Sequence, residues 1–397
     1  MEFQQLLLWL WLLPILFGVG AIAIYLLLKA RHPPLPPLPP PSEFAWNASN
    51  LEMKGVRYPQ SQGPPLVLVH GYAGNSRNWR EMGYGLHRRG YDVWMPNLRG
   101  HGNGSHRSRV HHGESGNYSF TQIVTEDFPL IMQQVGTSNP RKLCLLAHSM
   151  GGIAARAYLS GIHLSPKGKI ELNQMESVIR ARQISGLILF GSPPHFHDMP
   201  TTLRWLMRQP AQLSEWLHSA IPIPGAKKSP TEPDPADLKN RVVKSMISKL
   251  SATLNRANPI KGVAHLENFN PKTNEFGRLI EKGISKLHVD LVRDMTRWVK
   301  SGEITSDDFD YSAAHPIGVP MLFIAGEFDQ LAPPQSVFDL AKQYAKYTDV
   351  RTVLVKRTSH VDLISGERAE RLLAPIVHDF AQDPTNLGPI NSHLEIG

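Results

Sequence analysis

A single cysteine, Cys144, among 397 residues has nothing to pair with inside the chain, so no disulfide framework holds this fold. That withdraws one argument for an oxidising compartment without excluding one. Metal-ligand spacing is missing as well. His101, His106, His111 and His112 crowd one loop, but neither cysteine nor paired carboxylates accompany them, so a solvated loop without metal is expected. Acidic residues are outnumbered, 34 Asp and Glu against 42 Lys and Arg, for a formal charge of +8. The basic residues are dispersed and no base-stacking module accompanies them, so no nucleic-acid partner is expected. Attraction to an anionic membrane surface is the simpler account of the charge.

Charge is absent altogether from residues 6–28, which are nearly all apolar. A helix of that length spans about 34 Å, enough for a hydrocarbon core of about 30 Å. Residues 1–28 are therefore read as a retained single-pass anchor. A secretory signal peptide competes with that reading. Against it, only Glu2 is charged ahead of the run, and the run is too long. Lys29 and Arg31 on the far side place the rest of the chain in the cytoplasm by the positive-inside rule. The sequons at Asn47, Asn103 and Asn117 matter only in a glycosylating lumen. Pro-Pro-Leu-Pro-Pro-Leu-Pro-Pro-Pro at 33–41 adopts polyproline II and makes a stiff spacer of about 28 Å, within a linker assigned to 29–50.

Leu-Cys-Leu-Leu-Ala-His-Ser-Met-Gly-Gly at 143–152 is the most informative run. An apolar stretch ends in Ser149, with Ala147 and Gly151 two residues to either side, and a helix-compatible segment follows. This is the strand–turn–helix context of a nucleophile elbow, in which small neighbours let strand and helix approach. Glycine is usual at both flanks, and Ala147 departs by one methyl. Further apolar runs end in loops at 65–74, 91–102, 184–191, 319–326 and 349–355, the pattern of buried parallel strands. Asp329 follows the fourth of these runs and His360 the last. Glu327, Asp198 and Asp362 are rival acids. His70 and His148 flank the site and read as loop buttresses rather than bases.

The order Ser149, Asp329, His360 with these strands resembles an α/β-hydrolase over roughly 60–200 and 318–382. The resemblance implies an α/β-hydrolase fold, a mostly parallel central sheet flanked by helices. It implies Ser149 as nucleophile, His360 as general base, Asp329 as orienting acid, and the backbone N–H groups of Tyr72 and Met150 as oxyanion hole. Such a machine works without a cofactor. A serine rather than an aspartate at the elbow points to acyl transfer.

With 41% hydrophobic residues the chain is long enough for one sizeable domain plus an insertion. The core is assigned to 51–192 and 318–382, with a tail at 383–397. Residues 193–317 are read as a helical cap, with amphipathic helices over 201–217, 236–257 and 275–300. The segment 292–305, together with 91–100 and 127–130, is similar to the acid lipase group, whereas the Ala-His-Ser-Met-Gly elbow is similar to that of small bacterial lipases. The expectation is a membrane-anchored serine hydrolase of a hydrophobic acyl ester. An acyltransferase, a thioesterase or a non-catalytic binding protein of the same fold remain alternatives.

Overall fold

Alternating apolar runs and helical segments build one large, mostly parallel sheet. The computed structural model describes residues 38–48, 50–110, 118–201, 203–204, 262–269, 275–285, 288–306, 309–311, 317–385 and 394–397. In chain order the strands are β1 (Ser42–Asn47), β2 (Leu51–Tyr58), β3 (Pro65–Val69), β4 (Asp92–Pro96), β5 (Arg109–Val110), β6 (Leu143–His148), β7 (Ile162–Leu164), β8 (Ile170–Leu172), β9 (Ile184–Phe190), β10 (Met321–Gly326), β11 (Val350–Val355) and β12 (Leu394–Ile396). The sheet runs β1-β2-β4-β3-β6-β9-β10-β11-β12, with β5 beside β2, while β7 and β8 form a separate hairpin. β2 is antiparallel to β1 and β4. Every pair from β4 to β12 is parallel.

β3, β6 and β10 are buried at every position, which is why they read as unbroken apolar runs rather than alternating ones. Alternate side chains go to opposite faces. Leu66, Leu68 and Leu146 pack with helices α1 (Arg80–His87) and α8 (Glu367–Gln382). Val67, Val69 and Leu145 pack with α2 (Phe128–Ser138), α3 (Met150–Leu159), α6 (Val289–Ser301) and α7 (Pro334–Tyr344). Two further helices are α4 (Gln174–Ala181) and α5 (Glu275–Lys282).

Four assignments from sequence shift. The sheet starts inside the stretch read as linker, because Phe44 and Trp46 of β1 stack at 4.2 Å and lie against Trp94. The tail contributes β12, paired in parallel with β11. The helix expected over 275–300 is two, since the chain leaves α5 to let the Ser285 N–H donate to Ala73 O at 2.8 Å. Last, the end of the presumed cap is core. Leu291, Met295, Trp298 and Val299 form one stripe of α6 inside the main cluster, with Phe120 edge-on to Trp298.

The anchor at 1–28 and the helix expected at 236–257 lie outside the described residues, as does most of 201–217. Among the described residues no helix is long and apolar enough to cross a membrane.

Candidate active site

β6 delivers Ser149 onto a sharp turn before α3. Its φ of 52° and ψ of −121° lie in a region that non-glycine residues adopt only when their surroundings impose it. Here they do. The Ser149 N–H donates to Phe190 O at 3.0 Å, and its carbonyl accepts from the Gly152 and Ile153 N–H groups at 2.9 and 3.1 Å. The turn also needs glycine around it. A Cβ on Gly71 would sit 2.8 Å from Ser149 Cβ, and one on Gly151 would collide with the His70 carbonyl. Ala147 escapes this constraint. It is fully buried within β6, paired with Val69 and Leu189, and its methyl belongs to the main core.

Asp329 lies just past β10 and His360 just past β11. His360 Nδ1 is 2.8 Å from Asp329 Oδ2, both side chains being almost fully buried. The carboxylate partner assigns the hydrogen to Nδ1. Asp329 Oδ1 accepts from the Leu331 and Ala332 N–H groups, each at 2.9 Å, which fixes the carboxylate. Gly191, at φ 50°, passes beneath the pair. A Cβ there would be 2.8 Å from Asp329 Oδ2 and 3.2 Å from His360 Nδ1. Since Phe190 O accepts from Ser149 N–H, this one passage of chain runs from the elbow to the Asp329–His360 pair at the carboxyl ends of the parallel strands.

The rival acids are otherwise engaged. Asp362 accepts from the His265 and Ser359 N–H groups at 3.2 Å and from Asn268 Nδ2, and burial raises its pKa. Glu327 accepts from Arg357 N–H at 2.8 Å, and Asp198 from Ser336 Oγ at 2.5 Å.

Tyr72 sits on the loop after β3, and Met150 opens α3. Among the described residues neither N–H has a backbone acceptor, as the first turn of a helix requires for Met150. His70 buttresses this loop. Its Nδ1 donates to Gly71 O at 2.9 Å and its Nε2 accepts from Leu98 N–H at 3.0 Å. Burial, and then His101, push its pKa well below the usual 6.5. His148 Nε2 donates to His360 O at 3.0 Å, and burial, then His360, lower its pKa likewise. His101 corrects the solvated-loop expectation. It is fully buried, Nδ1 donates to Arg99 O at 2.9 Å, and burial brings its pKa to about 4. Glu43 pairs with His106 at 3.2 Å, while His111 and His112 lie outside the described residues. Among the described residues no group of His, Cys, Asp and Glu is placed to hold a metal ion.

Two supports went unread in the sequence. Buried Arg99 donates through Nε to Asp127 Oδ1 and through Nη2 to Glu126 Oε2, both at 2.7 Å, tying the loop after β4 to the π-helical turn Ile123–Asp127. Ser285 Oγ donates to Gly74 O at 2.8 Å and accepts from Gly102 N–H at 2.9 Å, latching the loop after β3 from above. Both segments of the first pair stood out as motifs, but pairing across 28 positions has no local signal.

Residues 64–367 match the alpha/beta hydrolase fold family. The chain belongs to that family. In this α/β-hydrolase Ser149 sits on the turn between β6 and α3, and His360 is hydrogen-bonded to Asp329. A probable alcohol acetyltransferase of Saccharomyces cerevisiae is 33% identical over 93 residues, 23% of this chain and 25% of the yeast protein. Similar solved structures include a thermophilic esterase from Thermogutta terrifontis, 16% identical, covering 87% of this chain and 99% of that one at a TM-score of 0.48. An epoxide hydrolase from Vigna radiata is 14% identical over 86% of this chain and 98% of that one, at a TM-score of 0.49.

Proposed function

We propose that this α/β-hydrolase is a membrane-anchored serine hydrolase that cleaves a hydrophobic acyl ester through an acyl-enzyme. The observations that support the reading are the buried His360–Asp329 pair at 2.8 Å and a serine held at positive φ on the turn after β6. A serine hydroxyl attacks a carbonyl only if a base takes its proton as the bond forms. In the proposed cycle His360 Nε2 accepts the Ser149 proton while Asp329 holds Nδ1–H and stabilises the imidazolium. The Tyr72 and Met150 N–H groups meet the tetrahedral oxyanion, whose charge the N-terminal end of α3 also favours. His360 then protonates the departing alcohol, and water attacks the acyl-Ser149 by the same route in reverse. Nothing in these steps requires a cofactor. The hydrophobic nature of the ester is argued from the apolar segment 6–28, which would keep the domain among membrane substrates.

A fluorophosphonate probe tests the reading directly. Wild type becomes labelled on Ser149 and hydrolyses members of an acyl-ester panel, while Ser149→Ala does neither. A folded wild type that stays unlabelled beside a labelled control hydrolase sinks the proposal. Acyl transfer to an alcohol is the second reading, on the strength of the short similarity to the yeast protein. It forms the same acyl-enzyme. Adding a primary alcohol to the assay separates the two, since only a transferase gives the new ester as its main product.

A further inference from the structure

Helix α4 is inside out. Ser177 and Arg180 are buried, whereas Met175, Val178 and Ile179, spaced i, i+3 and i+4, are 66%, 48% and 44% exposed. The inversion is held firmly. Ser177 Oγ donates to Leu159 O at 2.6 Å, and Arg180 Nη1 donates to Tyr158 O and Ile162 O at 2.7 and 2.9 Å. The polar face of α4 therefore satisfies carbonyls at the end of α3, and the apolar face is turned to solvent. The β7–β8 hairpin, which precedes α4 in the chain, carries exposed Leu164 and Leu172. Of the eight large exposed hydrophobics among the described residues, three share this one face of α4, so they form a stripe rather than the usual scatter. Lys167, Lys169 and Arg182, on the hairpin before α4 and at the end of α4, are exposed. Glu171 is exposed there too, whereas Glu176 is paired with Arg180 at 3.3 Å.

We propose that this face docks on an anionic lipid surface. The patch is aliphatic with a lysine rim, whereas protein interfaces favour Trp, Tyr and Arg and are depleted in Lys. Aliphatic side chains entering the headgroup boundary beneath a basic rim are what an anionic bilayer attracts. A second copy of the chain would set lysine against lysine. The proposal rests on the membrane tether of the proposed function, because residues 6–28 and the proline-rich run after them would hold the domain at high effective concentration over the bilayer. The patch lies beyond the far end of the ten-residue helix α3, about 15 Å along from Ser149, and so outside the reacting groups.

Met175→Cys gives the test. Cys144 is buried and its thiol is pushed up to about 12, so an environment-sensitive fluorophore reacts at position 175 alone. The labelled full chain is reconstituted into phosphatidylcholine vesicles with or without phosphatidylglycerol. The expected result is blue-shifted emission in the phosphatidylglycerol vesicles, quenched by brominated acyl chains. High salt weakens it. The triple variant Lys167→Glu, Lys169→Glu, Arg182→Glu abolishes it and leaves turnover of a short soluble ester unchanged. Water-like emission in both vesicle types overturns the proposal, as does an equal shift in both. A shift in detergent that grows with protein concentration overturns it in favour of a second copy. Vesicle-bound chain whose probe stays in water defeats docking alone, whereas loss of soluble-ester turnover in wild type defeats the proposed chemistry alone.

Discussion

Asp329, Glu327, Asp198 and Asp362 all lie close enough in sequence or topology to serve one histidine, and their hydrogen bonds divide the work. Asp329 faces His360 Nδ1, while Asp362 binds backbone N–H groups of its own loop and of His265. Asp329→Asn is expected to lower kcat by about 10⁴, because an amide stabilises the wrong imidazole tautomer. Asp362→Ala strands buried donors and costs about 1–3 kcal/mol of stability. Its kcat, measured below the variant's Tm, stays far closer to wild type than that of Asp329→Asn. Equal kcat losses would show that the wrong acid has been assigned. The buried histidines set a pH dependence of known sign. His70, His148 and His101 bind a proton less readily folded than unfolded, His101 at about 4 against a usual 6.5. The unfolded chain therefore takes up more protons below 6.5, and stability present above that pH is lost as pH falls from 6.5 towards 4. Calorimetry across that window should show a falling Tm, and a flat profile would contradict neutral buried imidazoles.

At the level of elements, the elbow is made by what closes around it. Ala147 occupies a strand position with its methyl in the core, so Ala147→Gly, which restores the commoner pattern, should destabilise by about 1–2 kcal/mol through added chain entropy and a lost buried methyl. Urea titration measures this, and a neutral result would mean that the methyl packs on nothing. Ser285 belongs to the returning end of the insertion, yet it bonds Gly74 O and Gly102 N–H beside the proposed oxyanion loop. Ser285→Ala should cost about 1 kcal/mol in stability and lower kcat more than it raises KM, because it frees a loop whose N–H must meet the transition state. A change in KM alone would place Ser285 in substrate binding instead.

For the whole molecule, the apolar segment 6–28 and the inverted helix α4 bear on the same question, where this domain spends its time. If the segment is a retained anchor, the full chain stays with membranes through a high-salt or alkaline wash and leaves only with detergent. Recovery in the washed supernatant, trimmed at its start, would favour the signal-peptide reading. Protease added to inverted vesicles should digest a domain that faces the cytoplasm, and full protection would reverse the orientation.

The central strands and the elbow turn were legible in the sequence because each is a local pattern. Buried parallel strands read as apolar runs, and a strained turn demands small neighbours. The ends of the sheet were not legible. β1 begins directly after a proline-rich run, and β12 is three residues held by a strand some forty positions away. Nor did sequence mark the Arg99–Asp127 tie, the Ser285 latch, the burial of His101, or the break between α5 and α6. Each is a contact between segments whose spacing carries no period. The amino-acid sequence alone thus determined the family of the fold and where its elbow turn lies. Only the tertiary structure decided which carboxylate holds the imidazole, which histidines stay neutral, and which helix shows its apolar face to solvent, because burial and partnership are properties of the packed chain.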